Sequence, residues 1–362
     1  MRYCKKCLNP ETRPRITFDK NNVCNACMWA EKKKAIDWNE RQDYFRSLCD
    51  KYQACIVPFS GGKDSVYVAY KMRKFGIKDP ILVTVLPHME TEIGKWNREN
   101  CCRTFQRVEI KLQDDKYRAL AKKYFIEEGK PKHPWETAIS ATIINQAVKM
   151  GVPLIVYGED GEQEYGGAGR DNWKDPISKE WLMKYYYHDH LDWTIPSSED
   201  FEKIFFTQYS KFENWNSLSH AAFAEASGMK VRNVRSVGTL ENRSQISDKL
   251  QDLHMFLCFL KFGFGRSTSD SGILIRNGLE TRSMCLLQTE KYDGEYPVEY
   301  HQEYLDYFDM TDRPFWGVLR SHVDWNMIDE TGDFGAYEVQ GVVISRPFIL
   351  KQKWIELRRN RN

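Results

Sequence analysis

Short apolar runs alternate with helical spacings through the middle of the chain. Cys55-Ile56-Val57-Pro58-Phe59 predicts a short buried strand. Val66, Ala69, Tyr70 and Met72 or Arg73 follow at helical spacing, and Gly76 predicts the stop. Ile81 to Leu86 predicts a second strand. Thr91 to Phe105 predicts a helix with Ile93, Trp96 and Cys101 on one side. Val108, Ile110 and Leu112 alternate as a third strand. Tyr117, Leu120, Ala121, Tyr124 and Phe125 mark a helix, and Trp135 to Met150 another. Pro153 to Tyr157 closes the series as a strand.

Strands that alternate with helices pair in parallel through right-handed crossovers, so the expected class is α/β with a parallel sheet. Three regions are expected: residues 1–40, cysteine-rich and polar; residues 41–240, the α/β unit; and residues 241–362, mainly helical and rich in aromatic and charged residues. Ligands of such sheets bind beyond the carboxyl ends of the strands. Two polar segments are expected at that edge, Ser60–Ser65 after the first strand and Gly158–Gly167 after the last.

Ser60-Gly61-Gly62-Lys63-Asp64-Ser65 lies between a strand and a helix. The glycines allow a tight turn that presents backbone N–H groups. The helix N-terminus adds partial positive charge, Lys63 a full one, and Ser60 and Ser65 hydroxyl donors. Asp64 is reasonable beside phosphates when it helps to hold magnesium. The spacing is not that of a Walker A loop. It resembles the pyrophosphate loop of the ATP pyrophosphatases, which cleave ATP between the α- and β-phosphates and pass AMP to a substrate oxygen.

Cys4-Lys5-Lys6-Cys7 and Cys24-Asn25-Ala26-Cys27 form two Cys-x-x-Cys pairs sixteen residues apart, the spacing of a tetrahedral zinc site. Four thiolates leave no open position, so Cys4, Cys7, Cys24 and Cys27 are expected to hold a structural zinc. Cys55, Cys101 and Cys102 are read as packing residues; Cys49, Cys258 and Cys285 have no evident partner.

Gly158 to Gly167 carries four carboxylates within six residues. Such a run is ordinarily a solvated loop. Its expected place beside Ser60–Ser65 gives it a second reading, in which Glu159 and Glu162 bind magnesium, orient a sugar hydroxyl or take a proton from an attacking amine.

Composition narrows the partners. The formal net charge is +2, so no strong field draws nucleic acid or an anionic membrane. The start lacks the apolar run of a signal peptide, and no stretch approaches a membrane span, so a cytoplasmic protein is expected. Trp181, Tyr185–Tyr187, Trp193 and Trp215 could stack on sugar faces but are read as core or interface. Lys351, Lys353, Arg358, Arg359 and Arg361 are read as a solvated or oligomer-facing tail.

Together these motifs resemble the N-acetyl sugar amidotransferases that make pseudaminic and legionaminic acid derivatives and acetamidino-mannuronate units of bacterial surface polysaccharide. The resemblance spans nearly the whole chain. It rests on Tyr3–Cys7, Thr12-Arg13-Pro14, Cys24–Cys27, Ile36-Asp37-Trp38, Ser60–Ser65, Thr91–Gly94, Gly158-Glu159 and Glu164–Gly167. It continues in Phe264–Asp270, Lys291–Pro297 and Tyr304–Phe308. Ser267 and Ser269 stand where the family has Ala and Asp, which leaves Asp270 alone there.

The resemblance implies a PP-loop ATP pyrophosphatase domain of the adenine nucleotide alpha-hydrolase-like kind, using ATP and Mg2+. It implies that an acetamido oxygen is adenylated and that ammonia then replaces AMP, leaving an acetamidino group on a sugar or nucleotide sugar. No glutaminase is evident in the chain. A separate glutaminase, paired as in histidine biosynthesis, is the expected ammonia source. Two rivals use the same loop. One is a tRNA-thiolating enzyme, in which Cys101→Ser and Cys102→Ser would abolish activity. The other is a non-catalytic nucleotide-binding scaffold, in which Lys63→Ala would be silent.

Overall fold

The computed structural model describes residues 2–169, 172–187 and 196–359. Trp193 and Arg361 lie outside them. After α1 (Asn25–Lys32) and α2 (Trp38–Tyr52), strand and helix alternate as β1 (Ile56–Pro58), α3 (Lys63–Lys74), β2 (Ile81–Val85), α4 (Glu92–Asn100), β3 (Gln106–Ile110), α5 (Asp114–Glu128), α6 (His133–Met150) and β4 (Leu154–Tyr157). Then come α7 (Gly161–Tyr165), α8 (Lys179–Tyr185), α9 (Ser198–Glu202), β5 (Phe205–Gln208) and α10 (Ser217–Ala226).

The five strands form one parallel sheet in the order β3-β2-β1-β4-β5. Ile56 pairs with Ile81 on one side and Ile155 on the other. Successive strand residues face opposite sides, as the two-residue period requires. Val57, Leu82, Leu154 and Val156 pack with Phe45, Val66 and Met72. Ile56, Ile81, Val83 and Ile155 pack with Ile144, Ala147 and Phe206.

The order reverses between β1 and β4. Loops leaving those strands part there and open a crevice, the place where ligands bind in such sheets.

Four expectations change. The series does not close at Tyr157, because Phe205–Gln208 adds a fifth strand beside β4, in register from Leu154–Phe205 to Tyr157–Gln208. The third strand sits earlier than Val108–Leu112, and as an edge strand it is only half covered. α4 ends at Asn100, not Phe105; Cys102 has a left-handed backbone (φ 55°) and turns the chain. Cys101 and Cys102 are therefore outside the helix, though buried as expected.

The fourth change is in the C-terminal region. It carries α11 (Lys249–Phe262), α12 (Arg266–Arg276), α13 (Arg282–Tyr292), α14 (His301–Phe308), α15 (Asp312–Ser321) and α16 (Gln352–Arg359). It also holds β6 (Ile328–Glu330), β7 (Tyr337–Val339), β8 (Val342–Ile344) and β9 (Phe348–Leu350) in two small antiparallel sheets. Gln340 and Gly341 both have positive φ, which matches the twist of the β7–β8 hairpin. α11, α14 and α15 share a core with Phe125 of α5. Arg358 is buried against Asp293 and Thr268, so this part of the basic tail is fastened and not solvated. Among the described residues no helix is long and apolar enough to cross a membrane.

Candidate functional site

The Ser60–Ser65 loop leaves β1 and starts α3. It is braced from within: Gly62 N donates to Ser60 Oγ (3.3 Å), and Ser65 Oγ donates to the Gly62 carbonyl (3.0 Å). Gly61 has φ +76°, and a Cβ there would lie 2.4 Å from the backbone N of Arg98. α4 crowds the loop because Arg98 is held to Glu90 (2.8 Å) and Glu109 (2.6 Å).

The stretch Thr91–Gly94, at the start of α4, has a structural reason. Thr91 N donates to the Ser247 carbonyl, and a Cβ on Gly94 would meet Ser247 Cα at 2.6 Å. They seat the strap 243–248 over the loop.

Loop, strap and the start of the acidic segment enclose a cavity of about 280 Å3, into which Lys63, Asp64, Glu159, Tyr165, Arg243 and Arg266 face. Lys63 Nζ lies 2.5 Å from Asp64 Oδ2. The other Asp64 oxygen is 3.3 Å from His220 Nδ1. His220 is buried, stacked on Tyr67 and edge-on to Trp215. Burial opposes ionisation of Asp64, but Lys63 and His220 hold its carboxyl below the usual range. Burial likewise opposes charge on Lys63, while Asp64 and Glu159 hold its ammonium above the usual range. Burial and then Asp64 push the Glu159 carboxyl up to about 7, against the pull of Lys63. A buried carboxyl near neutrality is a group that can exchange a proton with substrate. Two carboxylates facing a cavity that Lys63, Arg243 and Arg266 also line form an oxygen donor set suited to magnesium.

The acidic segment divides its labour. Glu159 faces the cavity. Glu162 does not; it accepts hydrogen bonds from the Arg15 guanidinium and from Ala168 N. Glu164 is bound by Trp29 Nε1 (3.0 Å) and Lys33 Nζ (2.8 Å). Asn25 Nδ2 donates to the Gly167 carbonyl. The N-terminal module thus latches the loop and leaves Glu159 to the site.

In that module the sulfurs of Cys4, Cys7, Cys24 and Cys27 all lie within 4.8 Å of one another and are buried. Cys7 to Cys24 is 3.6 Å and Cys4 to Cys27 is 3.9 Å. A tetrahedron with Zn–S near 2.3 Å has sulfurs about 3.8 Å apart. Backbone N–H groups of Cys7, Asn9 and Cys24 also point at the sulfurs, as thiolates require. The four cysteines fit zinc in a closed, structural role.

Two further cavities adjoin the first. One, of about 250 Å3, lies past the ends of β1 and β2. It is lined by Pro58, Phe59, Val83, Val85, Ile139 and Tyr157, and shares Ser60 and Ser247 with the loop cavity. Tyr157 Oη is buried with no hydrogen-bond partner. The other, about 570 Å3, shares Tyr165 and Arg266 with the loop cavity and is basic through Arg13, Arg15 and Lys261.

Sequence reasoning missed His220, Arg243 and the strap. His220 sits in a helix rich in Ser and Ala, without a motif to mark it. The sequence marks Arg266 only as part of the Phe264–Asp270 stretch. Asp270 is turned to Arg266 (2.8 Å) and is buried. Ser269 accepts from Arg13 Nη1 (3.1 Å).

Residues 208–330, about a third of the chain, match the family described as LPS biosynthesis protein WbpG-like, C-terminal domain. His220, Arg243, Ser247 and Arg266 all fall inside that match. No curated protein matches the chain. Among solved structures, a predicted subunit of a tRNA methyltransferase from Methanocaldococcus jannaschii is similar over 48% of this chain and 75% of that one. Its identity is 17% and its TM-score 0.26, too low to carry an argument.

Proposed function

We propose that the chain is an ATP-dependent amidotransferase of lipopolysaccharide biosynthesis, which adenylates the acetamido oxygen of an N-acetyl sugar and exchanges it for ammonia nitrogen. The observation that carries the ATP half is the loop cavity. A glycine-rich loop at the β1/β4 switch point brings Lys63, Asp64, Glu159 and Arg266 together. The setting in surface-glycan synthesis is supported by the WbpG-like match.

In this reading the backbone N–H groups of Ser60–Ser65 and Lys63 receive the β- and γ-phosphates. Arg266 and Lys63 stabilise charge that gathers on the departing pyrophosphate. Asp64, fixed by His220, and Glu159 would hold magnesium, which supplies charge neutralisation when bound. The apolar cavity past β1 and β2 takes the nucleoside, with Tyr157 Oη free to bond it. The basic 570 Å3 cavity takes the sugar. Ammonia comes from a separate glutaminase; that part rests on the family resemblance.

Cys101 and Cys102 are buried, and burial raises both thiols. This does not suit them as sulfur carriers for the thiolating alternative. The test is to incubate the protein with ATP, a panel of free and nucleotide-linked N-acetyl sugars, and ammonium. AMP, pyrophosphate and a sugar carrying NH in place of O are expected. Lys63→Ala is expected to slow pyrophosphate release by ~10²–10³-fold. No sugar-dependent pyrophosphate from the wild type would overturn the proposal.

A further inference from the structure

Cys258 is half-buried, while the other nine cysteines are buried. It lies on α11, one turn after His254, with Sγ 3.6 Å from Nε2. Both residues line the 570 Å3 cavity that meets the loop cavity at Tyr165 and Arg266. His254 Nδ1 is buried and has no hydrogen-bond partner. Arg13 and Lys261 line the same cavity. Among the described residues neither has a carboxylate ion-pair partner; Arg13 donates to Asn9 and Ser269, and Lys261 to a backbone carbonyl.

The electrostatics separate this thiol from the other core cysteines. Burial opposes its ionisation, but His254, Lys261 and Arg13 bring it below the usual thiol range. Cys49, Cys55, Cys101, Cys102 and Cys285 all shift upward, burial being the first cause in each. A cysteine beside histidine in an electropositive, partly open cavity is the setting of a reactive thiolate.

We infer that Cys258 is a catalytic nucleophile for the second half-reaction, with His254 as its proton partner. The inference rests on the amidotransferase reading. The thiolate adds to the imidate carbon, and the bond from that carbon to the AMP oxygen breaks. AMP leaves with the electron pair and takes the His254 proton, so the sugar is held as a thioimidate. Ammonia then adds to the same carbon. Its surplus proton passes to neutral His254, and the carbon–sulfur bond breaks to return the thiolate. The products are an amidine, AMP and the original Cys258–His254 pair. A covalent stage keeps the activated carbon on the protein until ammonia arrives.

Two measurements test this. In the first, iodoacetamide is added below stoichiometry to the whole protein and the adducts are located by peptide mass spectrometry. Cys258 is expected to react ~10-fold or more faster than Cys49, Cys102 or Cys285, and His254→Gln to remove that advantage. Equal rates in the wild type overturn the inference.

In the second, the protein is given ATP and the N-acetyl sugar panel. Without ammonium, acid-quenched wild type is expected to carry a sugar adduct on Cys258. With ammonium, Cys258→Ala is expected to lose ~10²-fold in amidine formation and much less in pyrophosphate release. Undiminished amidine formation by Cys258→Ala overturns the nucleophile and leaves the amidotransferase reading standing. Absence of sugar-dependent pyrophosphate from the wild type defeats that reading instead, and the covalent step with it.

Discussion

Gly61 shows how one missing side chain makes room for chemistry. Its φ of +76° costs any other L-residue about 1–2 kcal/mol. A Cβ would also strike the Arg98 backbone at 2.4 Å, and α4 cannot yield because Arg98 is tied to Glu90 and Glu109. The loop itself would have to move. Gly61→Ala is therefore expected to weaken binding of a non-hydrolysable ATP analogue by ~10-fold or more in calorimetric titration, and to lower stability by ~1–3 kcal/mol. Gly76→Ala is the control. It has a similar φ but no atom within 4 Å of the added Cβ, so it should cost stability and leave nucleotide affinity unchanged. Equal loss of affinity in both variants would refute the argument. The cavity-lining residues of this loop were legible from the sequence because strand, glycines and lysine are contiguous. The split between Glu159 and Glu162 was not legible. Spacing puts both on one short segment, and only the distant Arg15 decides that Glu162 turns away.

At the level of elements, the loop depends on a pair of helices that the sequence does not pair. α3 carries Asp64, and α10 carries the His220 that holds it. Between them Glu213 accepts hydrogen bonds from Lys71 Nζ (2.6 Å) and from the Tyr67 and Tyr209 hydroxyls. Burial of Glu213 opposes its charge, but these donors keep its carboxyl below the usual 4.5. A depressed carboxyl contributes stability that is present above the unfolded value and is lost as pH falls through the folded one. Glu213→Gln is expected to cost ~1–3 kcal/mol at pH 7 and to flatten the decline in stability below about pH 4.5. Urea unfolding at pH 7 and pH 4 measures both; an unchanged pH slope would exclude Glu213 as the source. β5 and α10 escaped the sequence reading for a physical reason. Phe205–Gln208 is short and half polar, and α10 is a Ser- and Ala-rich helix with little contrast between its faces. Such segments take their identity from the sheet edge and helix they meet.

At the scale of the molecule, the N-terminal module is joined to the segment beside the loop cavity through contacts more than 130 residues apart in sequence. Lys33 and Trp29 grip Glu164, Asn25 holds Gly167, and Arg15 holds Glu162. The spacing Cys-x-x-Cys marked a four-cysteine cluster fit for a metal but could not reveal its neighbour, since nothing local in either segment encodes the other. The arrangement would give a bound zinc a task beyond keeping its own module folded. α1 begins directly after Cys24, the third cysteine, and carries the fourth, Cys27, so a bound metal would set the helix that bears Asn25 and Trp29. If the metal goes, the latch on residues 158–167 goes with it, and Glu159 loses its aim into the loop cavity. The sheet has its own core and should survive. Wild-type protein is expected to contain one zinc per chain by elemental analysis. Cys24→Ser should lose it, show faster hydrogen exchange across 158–167 and near-native exchange in β1, β2 and β4, and slow pyrophosphate release by ~10-fold or more. Fast exchange confined to residues 2–35, with 158–167 still protected and turnover intact, would mean that the zinc serves its module alone.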